Sequence, residues 1–118
     1  MIKVVTLIKR KASMTKADFH HHWVKIHAPM ARQMIMPAVK SYAIAPIVAE
    51  HHRDDVPDLD TELDGIAEAW FESREAFDAF LQTEEAKTWL ADGATFIGET
   101  KTLIVDYESV IPMAGSVS

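Results

Sequence analysis

There is no cysteine in this chain. A disulfide framework, a thiolate nucleophile and a cysteine-ligated metal are therefore all excluded, and several enzyme classes go with them. Glycine is scarce as well, with four residues scattered at Gly65, Gly93, Gly98 and Gly115. That spacing provides no phosphate-cradling loop, no dinucleotide fingerprint and no nucleophile elbow. Positive charge is in deficit: 12 Lys and Arg stand against 18 Asp and Glu, for a net charge of −6. A nucleic-acid or anionic-membrane surface needs clustered cations to displace counterions, and the single basic run, Lys9-Arg10-Lys11, reads as a solvated strand end. Apolar runs stay far below the ~20 residues that span a bilayer. Met1 leads straight into Ile2-Lys3-Val4-Val5 without the basic and apolar regions of a secretory signal. These deficits predict a cytoplasmic protein with neither a nucleic-acid nor a membrane partner.

What is present suits one folded domain. Across 118 residues, 48% are apolar and 25% charged, an ordinary globular balance with enough apolar mass for a single core. Ile2 to Lys9 is short and β-branched, which favours a strand. Thr15 is placed to cap a helix from Ala17 to Met34, in which Phe19, Trp23, Ile26, His27, Met30 and Met34 recur at spacings of three and four. Pro29 has no amide proton and disfavours helical geometry at Ala28, so a kink or break just after His27 is expected. Ala38 to Val48 reads as a second strand, with Pro46 marking an edge or bulge. Ala49 to Leu63 reads as a long polar loop whose His51 and His52 are candidates for a lid.

Gly65 to Glu72 alternates as a third strand, with Ile66, Glu68 and Trp70 on one face and Ala67, Ala69 and Phe71 on the other. Ser73 caps the next helix, Gln82-Thr83 interrupts it, and Glu84 to Ala91 resumes before Asp92-Gly93 ends it. Phe96-Ile97-Gly98 crosses back and Thr102 to Tyr107 supplies the last strand. Residues 1–108 are expected to form the domain and 109–118 a loosely held tail. The order βαββαβ predicts an α+β fold, the ferredoxin-like plait, whose antiparallel sheet carries helices on one face. Its other face needs a cover, and a second copy of the chain provides one, so a homodimer is expected.

Phe19-His20-His21-His22-Trp23-Val24-Lys25-Ile26-His27 concentrates the chemistry-bearing side chains. Consecutive histidines point around a helix, and Trp23 and Val24 occupy the positions from which a second ligand would join His27, so no metal site is expected. His20 lies two α-helical turns before His27 and is the histidine expected to share its cleft. His27 itself, apolar-facing and beside a proline, is either a neutral acid–base group or a core histidine satisfied by a carbonyl. Tyr42 offers a phenol to a substrate carbonyl or simply packs on the helix. Glu68 beside Trp70 is either a desolvated carboxylate in a pocket or an ion-paired group on the dimer face. Asp92, poorly placed for a helix C-terminus, either orients a histidine or is a turn residue. Trp23, Trp70 and Phe96 are core first and pocket wall second.

Phe19, Trp23 and His27-Ala28-Pro29, Tyr42, Asp64-Gly65-Ile66-Ala67-Glu68-Ala69-Trp70-Phe71-Glu72-Ser73, and Asp92 with Phe96-Ile97-Gly98 together resemble the EthD-like family of dimeric α/β-barrel proteins. The likeness runs from Ile2 to about Tyr107. In its second half it is most similar to the 4-methylmuconolactone methylisomerase branch. That resemblance implies acid–base work without a cofactor on a small lactone, carboxylate or polyketide-like aromatic, by an isomerase or lyase. His27 and Tyr42 match its catalytic histidine and tyrosine. The second tyrosine of that branch is absent, its turn holding His20, His21, His22 and Trp23. Substrate contacts are expected from His20, Trp23, Glu68, Trp70, Asp92 and Phe96. A cofactor-free monooxygenase of the same barrel type and a non-catalytic accessory or ligand-binding protein are the readings from other classes.

Overall fold

A computed structural model describes residues 1–114. Its elements are β1 (Ile2–Arg10), α1 (Lys16–His21), a π-helical turn (His22–His27), α2 (Ala28–Met34), β2 (Ser41–Pro46), β3 (Gly65–Phe71), α3 (Arg74–Phe80), α4 (Glu84–Gly93) and β4 (Ile97–Val105). The strands form one antiparallel sheet in the order β2-β3-β1-β4. This is the ferredoxin-like α+β plait.

Three hydroxyl caps set the helix starts. Thr15 accepts from the Asp18 amide at 3.0 Å, Ser73 from Ala76 at 3.1 Å and Thr83 from Ala86 at 3.1 Å, each satisfying an amide that has no intrahelical partner. Thr83 therefore divides α3 from α4, which runs on through Asp92 to Gly93.

The irregularity expected just after His27 takes the form of a π-helical turn rather than a break in the helix. Ala28 keeps helical angles, φ −61° and ψ −43°, and its amide donates to the Trp23 carbonyl five residues back. The wider turn takes up one extra residue, which eases the proline ring past the carbonyl it would meet in a regular α-helix. The helix thus continues without a break but changes phase. Two strand ends also differ from expectation. β2 starts at Ser41 rather than Ala38, because the Val39 amide still bonds the Ile35 carbonyl at 3.0 Å in the turn after α2. β4 starts at Ile97 rather than Thr102, carried past a register shift at Lys9 and Arg10 to pair Ile97 with Arg10.

Strand alternation sorts the sheet into two faces. Val4, Ile8, Ala67 and Phe71 lie under the helices, packed with Phe19, Trp23, Ile35, Phe80 and Phe96 in two buried clusters. On the opposite face Lys3 meets Glu68 at 3.0 Å and lies 4.7 Å from the Tyr107 ring. Pro46 ends the edge strand β2. The following loop stays exposed, with His52 paired to Asp58 and Arg53 to Asp55 within it. Buried Asp64 pins its far end, accepting from the Arg10 amide at 2.8 Å and the Arg10 guanidinium at 2.7 Å. Residues after β4 continue without helix or strand through Ala114, and Val110, Ile111 and Met113 are exposed. The end of the expected tail, residues 115–118, lies outside the described residues.

Candidate active site

The π-helical turn decides which histidines meet. At about 100° per residue in an α-helix, side chains five apart point roughly 140° away from each other. In a turn whose bonds span five residues that offset falls to roughly 50°, much as for residues four apart in an α-helix. His22 and His27 accordingly share a face, and both rings reach Asp92 in the last turn of α4. His27 Nδ1 lies 2.7 Å from Asp92 Oδ2, and His22 Nε2 lies 3.2 and 3.3 Å from its two oxygens. A carboxylate only accepts, so Nδ1 of His27 carries the proton and Nε2 is left as the basic lone pair.

Trp89, one turn before Asp92 on the same face of α4, lies flat on the His27 ring at 4.5 Å and 19°. Its indole N–H donates to the His27 carbonyl at 3.4 Å. Phe96 meets the same ring edge-on at 5.1 Å. Only 4% of His27 is exposed. Burial pushes its pKa below 6.5, and the hydrogen bond and charge of Asp92 recover only part of that drop. For Asp92, desolvation works upward but the bonds from His27 and His22 outweigh it, and its carboxyl ends below the usual range. The pair is therefore a neutral imidazole on an ionised carboxylate.

His27 opens onto a cavity of about 360 Å³ between the helices and the inner sheet face, with Trp23, Tyr42, Phe71, Trp89 and Gly93 among its walls and Thr100 and Thr102 on the β4 side. Tyr42 packs edge-on to Trp89 at 5.5 Å. Burial pushes its phenol up to about 12, with the Trp23 side chain working weakly the other way. The phenol therefore keeps its proton near neutral pH and offers the O–H as a donor.

Of the residues expected in the site, His27, Tyr42 and Trp23 line this cavity. Asp92 serves the histidine rings instead of a substrate, and Phe96 backs His27 and His22 as fully buried packing. Three expectations are corrected. His20 is exposed, on a separate groove with Pro46 and Glu62, because the π turn shifts the helix phase toward His22. Glu68 borders the cavity, but its carboxylate is drawn to Lys3 on the opposite sheet face. Trp70 also lies on that opposite face, edge-on to Tyr107 at 5.0 Å. His51 and His52 are exposed and do not line the cavity. His22 and Gly93 were missed by sequence reasoning. The five-residue spacing from His22 to His27 beside Pro29 was the available signal for the first, and Gly93 had none. Among the described residues no cluster of three His, Asp or Glu side chains is arranged to hold a metal ion.

Two outcomes follow from this geometry. Because His27 is held below 6.5 in the folded chain, the unfolded chain binds more protons just under that pH. Stability is then full above 6.5 and is lost as pH falls from there through the folded value, and the acid limb of any activity lies below 6.5. Asp92→Asn removes the group that pulls His27 upward, so the imidazole should titrate lower still by NMR. A limb at or above 6.5 would contradict burial as the controlling effect. Gly93 is the second case. A Cβ there would sit 3.6 Å from His27 Cε1 and 3.9 Å from Nε2, ordinary contact that the fold tolerates. Gly93→Ala should fold with stability unchanged or raised by up to ~1 kcal/mol, yet lose about tenfold in turnover as the methyl crowds Nε2. Undiminished turnover in this variant would mean that Nε2 is not approached from this side.

The chain matches the EthD domain over residues 11–100. It is 28% identical over 107 residues to 4-carboxymethyl-4-methylbutenolide mutase of Pseudomonas reinekei, covering 90% of this chain and 97% of the mutase. In structure it is similar to an EthD family protein of Bacillus halodurans, with TM-score 0.70, 21% identity and coverage of 92% and 99% of the two chains. A dimeric ferredoxin-like protein of Thermobifida fusca gives TM-score 0.62 at 16% identity, with 90% of each chain covered. With some three quarters of its length matched, on a fold these structures share, the chain belongs to the EthD domain family.

Proposed function

We propose that this chain is a cofactor-independent acid–base catalyst, an isomerase or lyase acting on a small carbonyl-bearing ring such as a lactone. The observation that carries the reading is the His27–Asp92 pair: a buried neutral imidazole with its protonated nitrogen fixed at 2.7 Å and its basic nitrogen beside a cavity that also holds the Tyr42 phenol. A proton on the carbon next to the carbonyl passes to His27 Nε2. The C–H electron pair moves into the carbonyl as an enolate oxyanion, which the Tyr42 O–H stabilises. The Asp92 carboxylate holds the imidazolium, and where a ring C=C extends the enolate to a dienolate, the proton returns at its far carbon and the double bond shifts, completing an isomerisation. Aromatic walls keep water from quenching the intermediate. The likeness to a butenolide mutase supports lactones as the first compounds to try.

The test is proton exchange in deuterated water, followed by NMR on a panel of lactones and cyclic ketones. Wild-type protein should wash deuterium into the carbon next to the carbonyl of at least one compound. No exchange with any of them would remove the reading.

The working unit is a homodimer formed through the helix-free sheet face. Val5, Leu7, Ile66 and Trp70 are only half-buried there in the single chain, and a structural neighbour with this fold is dimeric. Light scattering that returned a monomer mass at micromolar concentration would overturn the dimer.

A further inference from the structure

The cavity has no positive end. Among the described residues that line it there is neither lysine nor arginine, and residues 115–118 are Gly-Ser-Val-Ser. The nearby cations are committed elsewhere: Arg10 holds Asp64 at 2.7 Å, and Lys3 holds Glu68 at 3.0 Å on the other sheet face. The fixed charge that does approach is negative. Asp92 lies directly behind His27, while the Glu99 carboxylate is drawn to Lys9 at 3.7 Å on the other sheet face.

The polar atoms facing a ligand are neutral: the His27 imidazole, the Tyr42 hydroxyl and the threonines of β1 and β4. Of these, Thr100 already donates to the Leu7 carbonyl at 2.9 Å. A buried carboxylate needs a cation or several donors to replace its water, and one phenol O–H is a single donor. A carbonyl oxygen needs only that one. The mutase relative is named for a butenolide bearing a carboxymethyl group, which is ionised at neutral pH.

We propose that this cavity takes an uncharged carbonyl-bearing ring and discriminates against the same ring carrying a carboxylate. The inference rests on the acid–base reading of His27, since it concerns which molecule that histidine is offered. It departs from the substrate charge in the relative's name because charge selection depends on a few wall residues, which a shared fold leaves free to vary.

A matched pair of probes tests it: 4-carboxymethyl-4-methylbutenolide as the free acid and as its methyl ester, titrated at pH 7.5 into the purified full chain by calorimetry. The ester should bind at least about tenfold tighter than the acid. Thr102→Arg places a cation at the exposed mouth and should move the preference toward the acid by about tenfold. Equal or tighter binding of the acid by wild type overturns the proposal, as does binding of neither form. The parent reading fails separately. Tight ester binding with proton exchange intact in His27→Gln would leave charge selection standing and remove the histidine mechanism. Tighter acid binding with exchange lost in His27→Gln would do the reverse.

Discussion

Replacing His27 with glutamine is expected to lower turnover by about 10²–10⁴-fold, the usual contribution of a placed acid–base group, in a protein that still folds. Glutamine roughly fills the imidazole site, and its amide can still donate to Asp92, so the carboxylate is not left unpaired in a half-buried position. What it cannot do is accept and return a proton at pH 7. The loss should fall on kcat more than on KM, because a neutral side chain of similar size leaves the Trp89 wall and the Tyr42 donor in place. Circular dichroism and thermal melting establish that the variant is folded. Near-full activity in such a variant would assign His27 to the core, as a histidine satisfied by Asp92 and nothing more.

The largest stability effect is expected at Gly65. This residue opens β3 directly beneath the Trp23 indole. A Cβ built there falls far inside van der Waals contact of Trp23 Cζ3 and Cη2 and 3.4 Å from Cε3. Trp23 is 1% exposed and wedged beside Phe19 at 5.4 Å, so relieving the overlap forces the indole out of its packed position toward the cavity it lines. Gly65→Ala should therefore cost about 3 kcal/mol, the upper part of the usual range for overpacking, and lower Tm by roughly 10 °C or more. Trp23 and Tyr42 both line the cavity, so the same displacement reshapes its wall and residual activity should fall at temperatures where the variant is still folded. Trp23→Phe in the Gly65→Ala background shortens the ring system and should restore part of the lost stability. A melting temperature equal to wild type would show that the indole has room to move after all.

Much of the fold was legible because helix and strand periods are local. Thr15, Ser73 and Thr83 signal helix starts by their own hydroxyls, and the alternation from Gly65 to Phe71 reads as a strand without reference to anything distant. The element order then admits few topologies. Strand ends were less legible. Whether Ile97 pairs with Arg10 depends on a register shift in β1, which leaves no mark on the sequence of β4.

The candidate site divides along the same line. By itself the sequence determined the plait, the amphipathic first helix with Trp23 and His27 on its buried side, and Tyr42 on the strand beneath. Each of these follows from spacing within one element and from the family pattern. Only the tertiary structure decided that His22, not His20, joins His27. That choice depends on one extra residue absorbed by the π turn at Pro29, and a regular helical count cannot contain it. The choice between the two faces of β3 was equally closed to sequence, because Ile66, Glu68 and Trp70 are as plausible a wall as Ala67, Ala69 and Phe71 until Lys3 is seen to claim the carboxylate. Asp92 behind His27, Gly93 beside its free nitrogen and Gly65 under Trp23 are contacts between residues far apart in the chain, and only the packed domain brings them together.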